Sequence, residues 1–264
     1  MREHVIESEV TPRAPSFATA LITIPCFNEE LILNRNVEEL YLFCRQRLTA
    51  FRWSILIADN HSHDETGRIA RSLAERYEEV AYYFLPEKGR GNILRTCWLE
   101  QEFDIYAYMD ADLATHLEHL PPLLEAVAGG ADAAVGCRLI PGAEVIGRSF
   151  SREVSSRVYN CLLRLVFSSR LHDAQCGFKA VSRRVRDHVL PLTRDHHWFF
   201  DSEVLVLSER KGYRLQEIPI SWQDHQFRDS KVKLFRDIRY FVRQISAFRR
   251  RLKQDPAIRG FLAE

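Results

Sequence analysis

Along the first half of the chain a short apolar run, a polar cluster and a segment with apolar residues three and four apart follow one another repeatedly. The run "ATALITIP" (18–25) reads as a buried strand that stops at proline. Asn28 is expected to cap a helix, with Glu29 and Glu30 in its first turn and Leu33, Val37, Leu40 and Cys44 on its buried side. Three further strands are predicted at "WSILIA" (53–58), "VAYYFL" (80–85) and "IYAYMD" (105–110), with helices over 64–78 and 92–101 between them. Strands and helices that alternate with short links call for a mainly parallel sheet, α/β in class, with helices on both faces.

The second half is less regular. It predicts a helix over 118–128, a strand at "ADAAVGCR" (131–138), and a helix over 150–167 with Val154, Val158, Leu162 and Leu165 on one side. A strand at "CGFKAVS" (176–182), a helix over 201–211 and a last strand at "YRLQEIPISW" (213–222) follow. From Lys231 to Lys253 there are nine Lys or Arg against one acid, Asp237. Leu234, Ile238, Phe241, Ile245, Phe248 and Leu252 repeat at helical spacing there, so the segment is a basic amphipathic helix. It reads either as a helix packed on the sheet with a solvated basic face or as an interfacial helix on an anionic membrane. No linker divides the chain, so one domain is expected over 18–230, after a tail at 1–17 and before the helix and tail at 231–264.

Composition narrows the class. With 264 residues, 46% hydrophobic and 28% charged, the chain is a folding protein, not a disordered one. Its net charge of +1 argues against nucleic acid as a partner. No run of eighteen apolar residues predicts a transmembrane helix, and the opening residues lack the apolar centre of a signal peptide. The six cysteines form no CxxC pair and sit among apolar neighbours, which predicts buried free thiols in a reducing cytosol.

The polar clusters "CFNEE", "DNHSHD", "EKGRGN" and "DADLAT" all fall at strand ends, where open α/β sheets bind their ligands. Asp110 and Asp112 read either as ordinary loop acids or as the ligands of a hard cation, Mg2+ or Mn2+, which binds through carboxylates plus substrate phosphates. Asp59 could accept from a base N–H or simply make a turn. Pro25 and Phe27 could wall a flat ring or belong to the core. Lys88 and Arg90, flanked by Gly89 and Gly91, make either a phosphate-approaching loop or a solvated basic one. His61, His63, His196 and His197 lack a third ligand at metal spacing and read as loop residues.

In their fixed order, "IPCFNEE", "ADNHSHDET", "EKGRGN" and "YMDADLAT" resemble glycosyltransferase family 2, over residues 18–245. The resemblance implies the GT-A fold, Rossmann-like with a mixed, mainly parallel sheet, and transfer of a sugar from a nucleotide sugar with inversion. "VGCR", "DAQCGFKAVSR", "WFFDSEVL", "EIPISW" and "DSKV" resemble the branch with polyprenyl-phosphate acceptors, and "QCGFK" with "DADLAT" is most similar to the dolichyl-phosphate glucosyltransferases. The resemblance gives Asp110 and Asp112 to the metal, and Pro25, Phe27, Glu29, Asp59, Lys88 and Asp110 to the nucleotide. It gives Arg138, Arg152 and Lys231 to the acceptor phosphate, with Arg228 as a substitute for an absent arginine. Asp201 and Glu203 stand where the family keeps a catalytic base; their other reading is first-turn acids that orient Arg or Lys. Ala114 stands where mannosyltransferase relatives carry glutamine, which leaves the metal one protein ligand short.

The implied enzyme moves a hexose, glucose first, from a UDP-linked donor to polyprenyl phosphate. It would sit in the cytoplasm, peripheral on a membrane face, with a membrane partner subunit or a second copy as further partners. A soluble or protein acceptor is one alternative, and a non-catalytic nucleotide-sugar-binding peripheral protein is another. An NAD oxidoreductase would need GxGxxG where this chain has "PCFNEE".

Overall fold

The computed structural model describes residues 17–224 and 234–263. Residues 1–16 of the expected tail at 1–17, Arg228 and Lys231 lie outside the described residues. The elements run β1 (Ala18–Cys26), α1 (Leu33–Arg47), β2 (Phe51–Asp59), α2 (Thr66–Arg76), β3 (Val80–Phe84), α3 (Arg90–Leu99) and β4 (Ile105–Met109). They continue as α4 (Leu120–Ala128), β5 (Ala133–Cys137), β6 (Glu144–Ile146), α5 (Phe150–Phe167), β7 (Phe178–Ser182), α6 (Arg183–His188) and α7 (Phe200–Arg210). β8 (Leu215–Pro219), β9 (Ser221–Gln223), α8 (Leu234–Gln254) and α9 (Pro256–Ala263) complete the order.

The main sheet has the order β3-β2-β1-β4-β7-β5-β8. β7 runs antiparallel to both β4 and β5, while the other pairings are parallel. The carboxyl ends of β1 to β5 therefore share one edge, and the reversed β7 brings its amino end, with "QCG" before it, to that same edge. Alternate strand residues serve the two faces. Ile22, Ile55, Ile57 and Met109 pack with α1 and α4, whereas Leu21, Leu56, Tyr106 and Tyr108 pack with α3, α5 and α7. Burial on both sides explains why the inner parts of β1, β2, β4 and β5 read as mainly apolar runs.

Three expectations change, those for Asn28, the last strand and Cys161, and the packing of the C-terminal helix bears on its two readings. Asn28 caps no helix: it holds a left-handed φ of 56°, and α1 begins only at Leu33. Its side chain instead accepts from the His63 N–H while its own N–H donates to Ser62 Oγ, which ties the β1 loop to the β2 loop. The predicted last strand is two strands. β8 stops at Pro219 in the main sheet, and β9 leaves to pair with β6 in a separate two-stranded sheet. The helix at the C-terminal end spends its apolar side on the core: Ile245, Phe248 and Leu252 are buried with Phe199 and Val204. Arg239, Arg243, Arg249, Arg250 and Lys253 stay exposed, so the described side chains of α8 present a basic strip to solvent. Of the cysteines, Cys161 is exposed and the other five are buried. No described helix is long and apolar enough to cross a membrane.

One buried contact fixes α3 against β1. Trp98 Nε1 donates to Thr23 Oγ1 at 2.8 Å with both residues out of solvent. Trp98→Phe leaves the threonine hydroxyl unpaired, so equilibrium urea denaturation should show a loss of about 1–3 kcal/mol. Adding Thr23→Val removes the orphaned group, and the double variant should recover part of that loss.

Candidate active site

The site is built where the strand-end loops meet. Around β1 and β2, Glu29 N–H donates to Thr66 Oγ1 at 2.7 Å and Glu30 N–H to Asp64 Oδ2 at 3.2 Å. Asp59 is buried at the end of β2, accepting from Ser62 N–H through Oδ1 and from the Tyr82 hydroxyl through Oδ2. A base ring would have to use a remaining lone pair of that carboxylate. Asn60 braces the next loop, donating to Glu87 O and accepting from Gly89 N–H at 2.7 Å. Pro25 is half-buried at the end of β1. Phe27 is 43% exposed, and Lys88 Nζ stands 4.8 Å from its ring centroid, which makes a flat platform with a cation over it.

The glycines of "KGRG" have a reason in packing that differs from the phosphate approach expected of them. A side chain at Gly89, whose φ is +146°, would run into the His196 carbonyl, and one at Gly91 would overlap Phe200. They let the start of α3 close onto residues 195–200.

β4 ends at Met109, so Asp110 and Asp112 lie beyond it and not on one strand face. A tight turn gathers them instead: Leu113 N–H donates to Asp110 O, Leu113 takes φ 50°, and Ala114 N–H donates to Asp112 Oδ1. Asp110 Oδ1 lies 2.7 Å from Arg90 Nη2, and its side chain remains 38% exposed. Gly177, just before β7, leaves room for this pair, since any Cβ there would overlap Asp110 Oδ2. Below the turn, the Tyr108 hydroxyl donates to Asp201 Oδ1 at 2.5 Å, and Lys179 Nζ reaches Tyr108 Oη at 3.2 Å and Asp201 Oδ1 at 3.5 Å. Lys179 Nζ also donates to Cys176 O. Burial pushes the Tyr108 phenol well above its ordinary value, with the Asp201 charge adding and Arg90 opposing, so it stays a donor.

Asp201 and Glu203 point to different neighbours because two helix positions are about 200° apart. Glu203 is buried and accepts from Arg194 N–H, Asp195 N–H and Arg251 Nη1. It braces α7 against α8, which matches its other reading as an acid that orients an arginine, and burial raises its carboxyl against the pull of those donors. Asp201 is held by Tyr108 and Lys179.

On the far side, Arg138 at the end of β5 grips Asp173 with two bonds, Nε to Oδ2 at 2.7 Å and Nη2 to Oδ1 at 3.0 Å. Its guanidinium also lies 5.7 Å from the Trp222 ring. Arg148 pairs with Glu153 at 2.8 Å, and burial together with the nearby Arg138 charge lowers its pKa. Arg152 pairs with Asp224 at 2.5 Å. The structure thus brings Asp110, Asp112, Asp201 and Arg138 to one end of the sheet. Sequence reading offered Arg90 only as part of a phosphate-approaching or solvated basic loop, without its Asp110 partner, and assigned no site role to Arg148, Gly177 or Lys179. "QCGFK" was the available signal for two of them. Among the described residues no group of three or more His, Cys, Asp or Glu is arranged to hold a metal. Two oxygen donors on a turn nevertheless suit a hard cation whose remaining ligands are water and substrate phosphate.

Comparison with known proteins agrees with this geometry. The profile of glycosyl transferase family 2 matches residues 21–190. Glycosyltransferase AglD of Haloferax volcanii is 37% identical over 235 residues, covering 86% of this chain but 37% of its own, so the chain spans little more than a third of that relative. The dolichyl-phosphate beta-glucosyltransferase of Saccharomyces cerevisiae is 26% identical over 232 residues, covering 81% of this chain and 69% of its own. Among solved structures, glucosyl-3-phosphoglycerate synthase from Mycobacterium tuberculosis, in complex with Mn2+, UDP and phosphoglyceric acid, superposes with a TM-score of 0.64. It shares 15% identity over 87% of this chain and 76% of that one, which shows the GT-A fold.

The Arg138–Asp173 pair generates a stability prediction. Burial raises the Asp173 carboxyl, but the Arg138 charge and hydrogen bonds outweigh it and hold the pKa below the ordinary value. A carboxyl lowered on folding adds stability above its unfolded pKa of about 3.9 and loses it as pH falls through the folded value. Asp173→Asn leaves Arg138 buried without its charge partner and should cost about 3–5 kcal/mol at pH 7. Urea denaturation at pH 7 and pH 3 should also show a smaller acid-induced loss in the variant than in the wild type.

Proposed function

The chain belongs to glycosyl transferase family 2, and on that premise we propose that it transfers a hexose, glucose first, from a UDP-linked donor to a polyprenyl phosphate with inversion. The observation that carries the choice of a phosphate acceptor is the state of the two carboxylates in the family's base position. Asp201 is engaged by Tyr108 and Lys179, and Glu203 by Arg251 and two backbone donors. A hydroxyl acceptor would need a base to take its proton, whereas a phosphate monoester, with a second pKa of about 6, is largely ionised at neutral pH. The dolichyl-phosphate glucosyltransferase relative supports the same acceptor class.

The obstacle is then electrostatic, since a monophosphate must approach a diphosphate. Asp110 and Asp112 would hold Mg2+ or Mn2+, which when bound supplies charge neutralisation to the leaving diphosphate. Phe27, Lys88 and Asp59 would receive the nucleotide, the exposed ring as a platform and Lys88 as a cation beside it. Arg138, Arg148 and Arg152 form a basic flank suited to the acceptor phosphate, because a planar guanidinium can share its donors between an acid partner and a phosphate oxygen. Arg228 and Lys231 belong to the same proposed acceptor set by resemblance. An approach to a lipid surface has support from two neighbouring helices. α5 exposes Phe150, Val154, Val158 and Leu165, and α8 exposes its basic strip.

Purified protein given UDP-glucose, Mg2+ or Mn2+ and a polyprenyl phosphate should form lipid-linked glucose, followed by thin-layer chromatography of the organic phase. Asp110→Asn and Asp112→Asn should each lower kcat/KM by about a hundredfold or more, the loss of several kcal/mol of charge stabilisation. Turnover confined to non-phosphorylated acceptors, or none across a panel of donors and lipid phosphates, would sink the proposal.

A further inference from the structure

Arg90 is the first residue of α3, and its side chain is 15% exposed. It runs between two aromatic rings, with its guanidinium carbon 5.1 Å from the Tyr108 centroid and 5.0 Å from that of Trp198. At its tip Nη2 lies 2.7 Å from Asp110 Oδ1, close enough for an ion pair. Yet Nε and Nη2 are both buried without a hydrogen-bond partner, so the contact with Asp110 is one of charge, not of hydrogen-bond geometry. A guanidinium carries five donors, and leaving buried ones unmet is costly. The environment is ready for an anion that brings oxygen acceptors. Gly177 completes the cradle, because a Cβ there would also come within 2.8 Å of Arg90 Nη2.

We propose that Arg90 is the resident counter-ion of the Asp110–Asp112 turn, holding Asp110 until a divalent cation takes that carboxylate and then seating the donor diphosphate with its freed guanidinium. The inference rests on reading Asp110 and Asp112 as the cation site. Guanidinium and metal cannot share Asp110 Oδ1, and their charges repel, so Arg90 opposes metal binding on its own. A diphosphate reverses the sign, since its oxygens attract both cations at once. The rings of Tyr108 and Trp198 keep the guanidinium in place when Asp110 is withdrawn. Arg90 is therefore a positioning residue that makes metal binding conditional on nucleotide, and the coupling is reciprocal.

The test is Mn2+ binding to the full chain, measured by electron paramagnetic resonance with and without UDP, which needs no turnover. Arg90→Gln should bind Mn2+ about tenfold more tightly without UDP, equivalent to roughly 1.4 kcal/mol. The same variant should bind UDP about tenfold more weakly at saturating Mn2+, so the mutual enhancement of the two ligands shrinks. Arg90→Lys keeps the charge without the planar fork, and should hold the antagonism towards Mn2+ alone while losing part of the UDP affinity. It also serves if the glutamine variant melts early. Wild-type Mn2+ affinity and wild-type coupling in both variants, with binding abolished in Asp110→Asn, would overturn the role of Arg90 and leave the cation site standing. No Mn2+ binding by the wild-type chain, even with UDP, would overturn the cation site and the Arg90 inference together.

Discussion

Compensation of buried negative charge organises the working end of this molecule. Asp173, Asp201 and Glu203 are all buried, and each is matched to a cation from another part of the chain. Asp173 meets Arg138 from the end of β5, Asp201 meets Lys179 from β7, and Glu203 meets Arg251 from α8. Asp110 and Arg90 repeat the device between β4 and α3 at the mouth of the site. A buried charge without its partner costs several kcal/mol, so these pairs bind the elements to one another as well as shaping the site. The reversed strand β7 is central to this arrangement. Its direction delivers Lys179 beneath the Asp110–Asp112 turn and Gly177 beside it, where a parallel strand would have sent both to the opposite edge of the sheet.

The parts of the fold that were legible in the sequence are those dictated by local physics. A strand buried on both faces must be apolar throughout, and "ITI", "ILI" and "YAYM" leave little choice. The polar clusters at their ends marked the site for the same reason, since a buried sheet exposes polar groups only where a strand stops. Long-range partners were not legible. Nothing near Arg90 in the chain announces Asp110 or Trp198, and nothing near Gly91 announces Phe200. Asp201 and Glu203 looked like one pair of acids, and only the helix angle between them and the arrival of α8 divides their roles. The basic amphipathic pattern of α8 is the same whether its apolar side meets a membrane or a core, so only the packing of Phe248 and Leu252 decides it. Asn28 failed as a cap because its side chain had a competing partner in His63 N–H.

Membership of glycosyl transferase family 2 points to sugar transfer, and the charge arrangement bears on the acceptor proposed for it. A site rich in guanidinium groups, whose acids are engaged by other side chains, is better made to receive an anion than to deprotonate an alcohol. On the proposed reaction, its difficulty would be to hold two phosphorylated substrates together. A small set of fixed cations around the Asp110–Asp112 turn, with Arg90 on one flank and Arg138 on the other, would meet it.

The most direct measurement of that account is the anomalous diffraction of Mn2+ in crystals grown with UDP. The account predicts one principal anomalous peak, in contact with the carboxylates of both Asp110 and Asp112 and with the UDP diphosphate. A peak bound elsewhere on the chain, or UDP seated with no Mn2+ against either carboxylate, would contradict it.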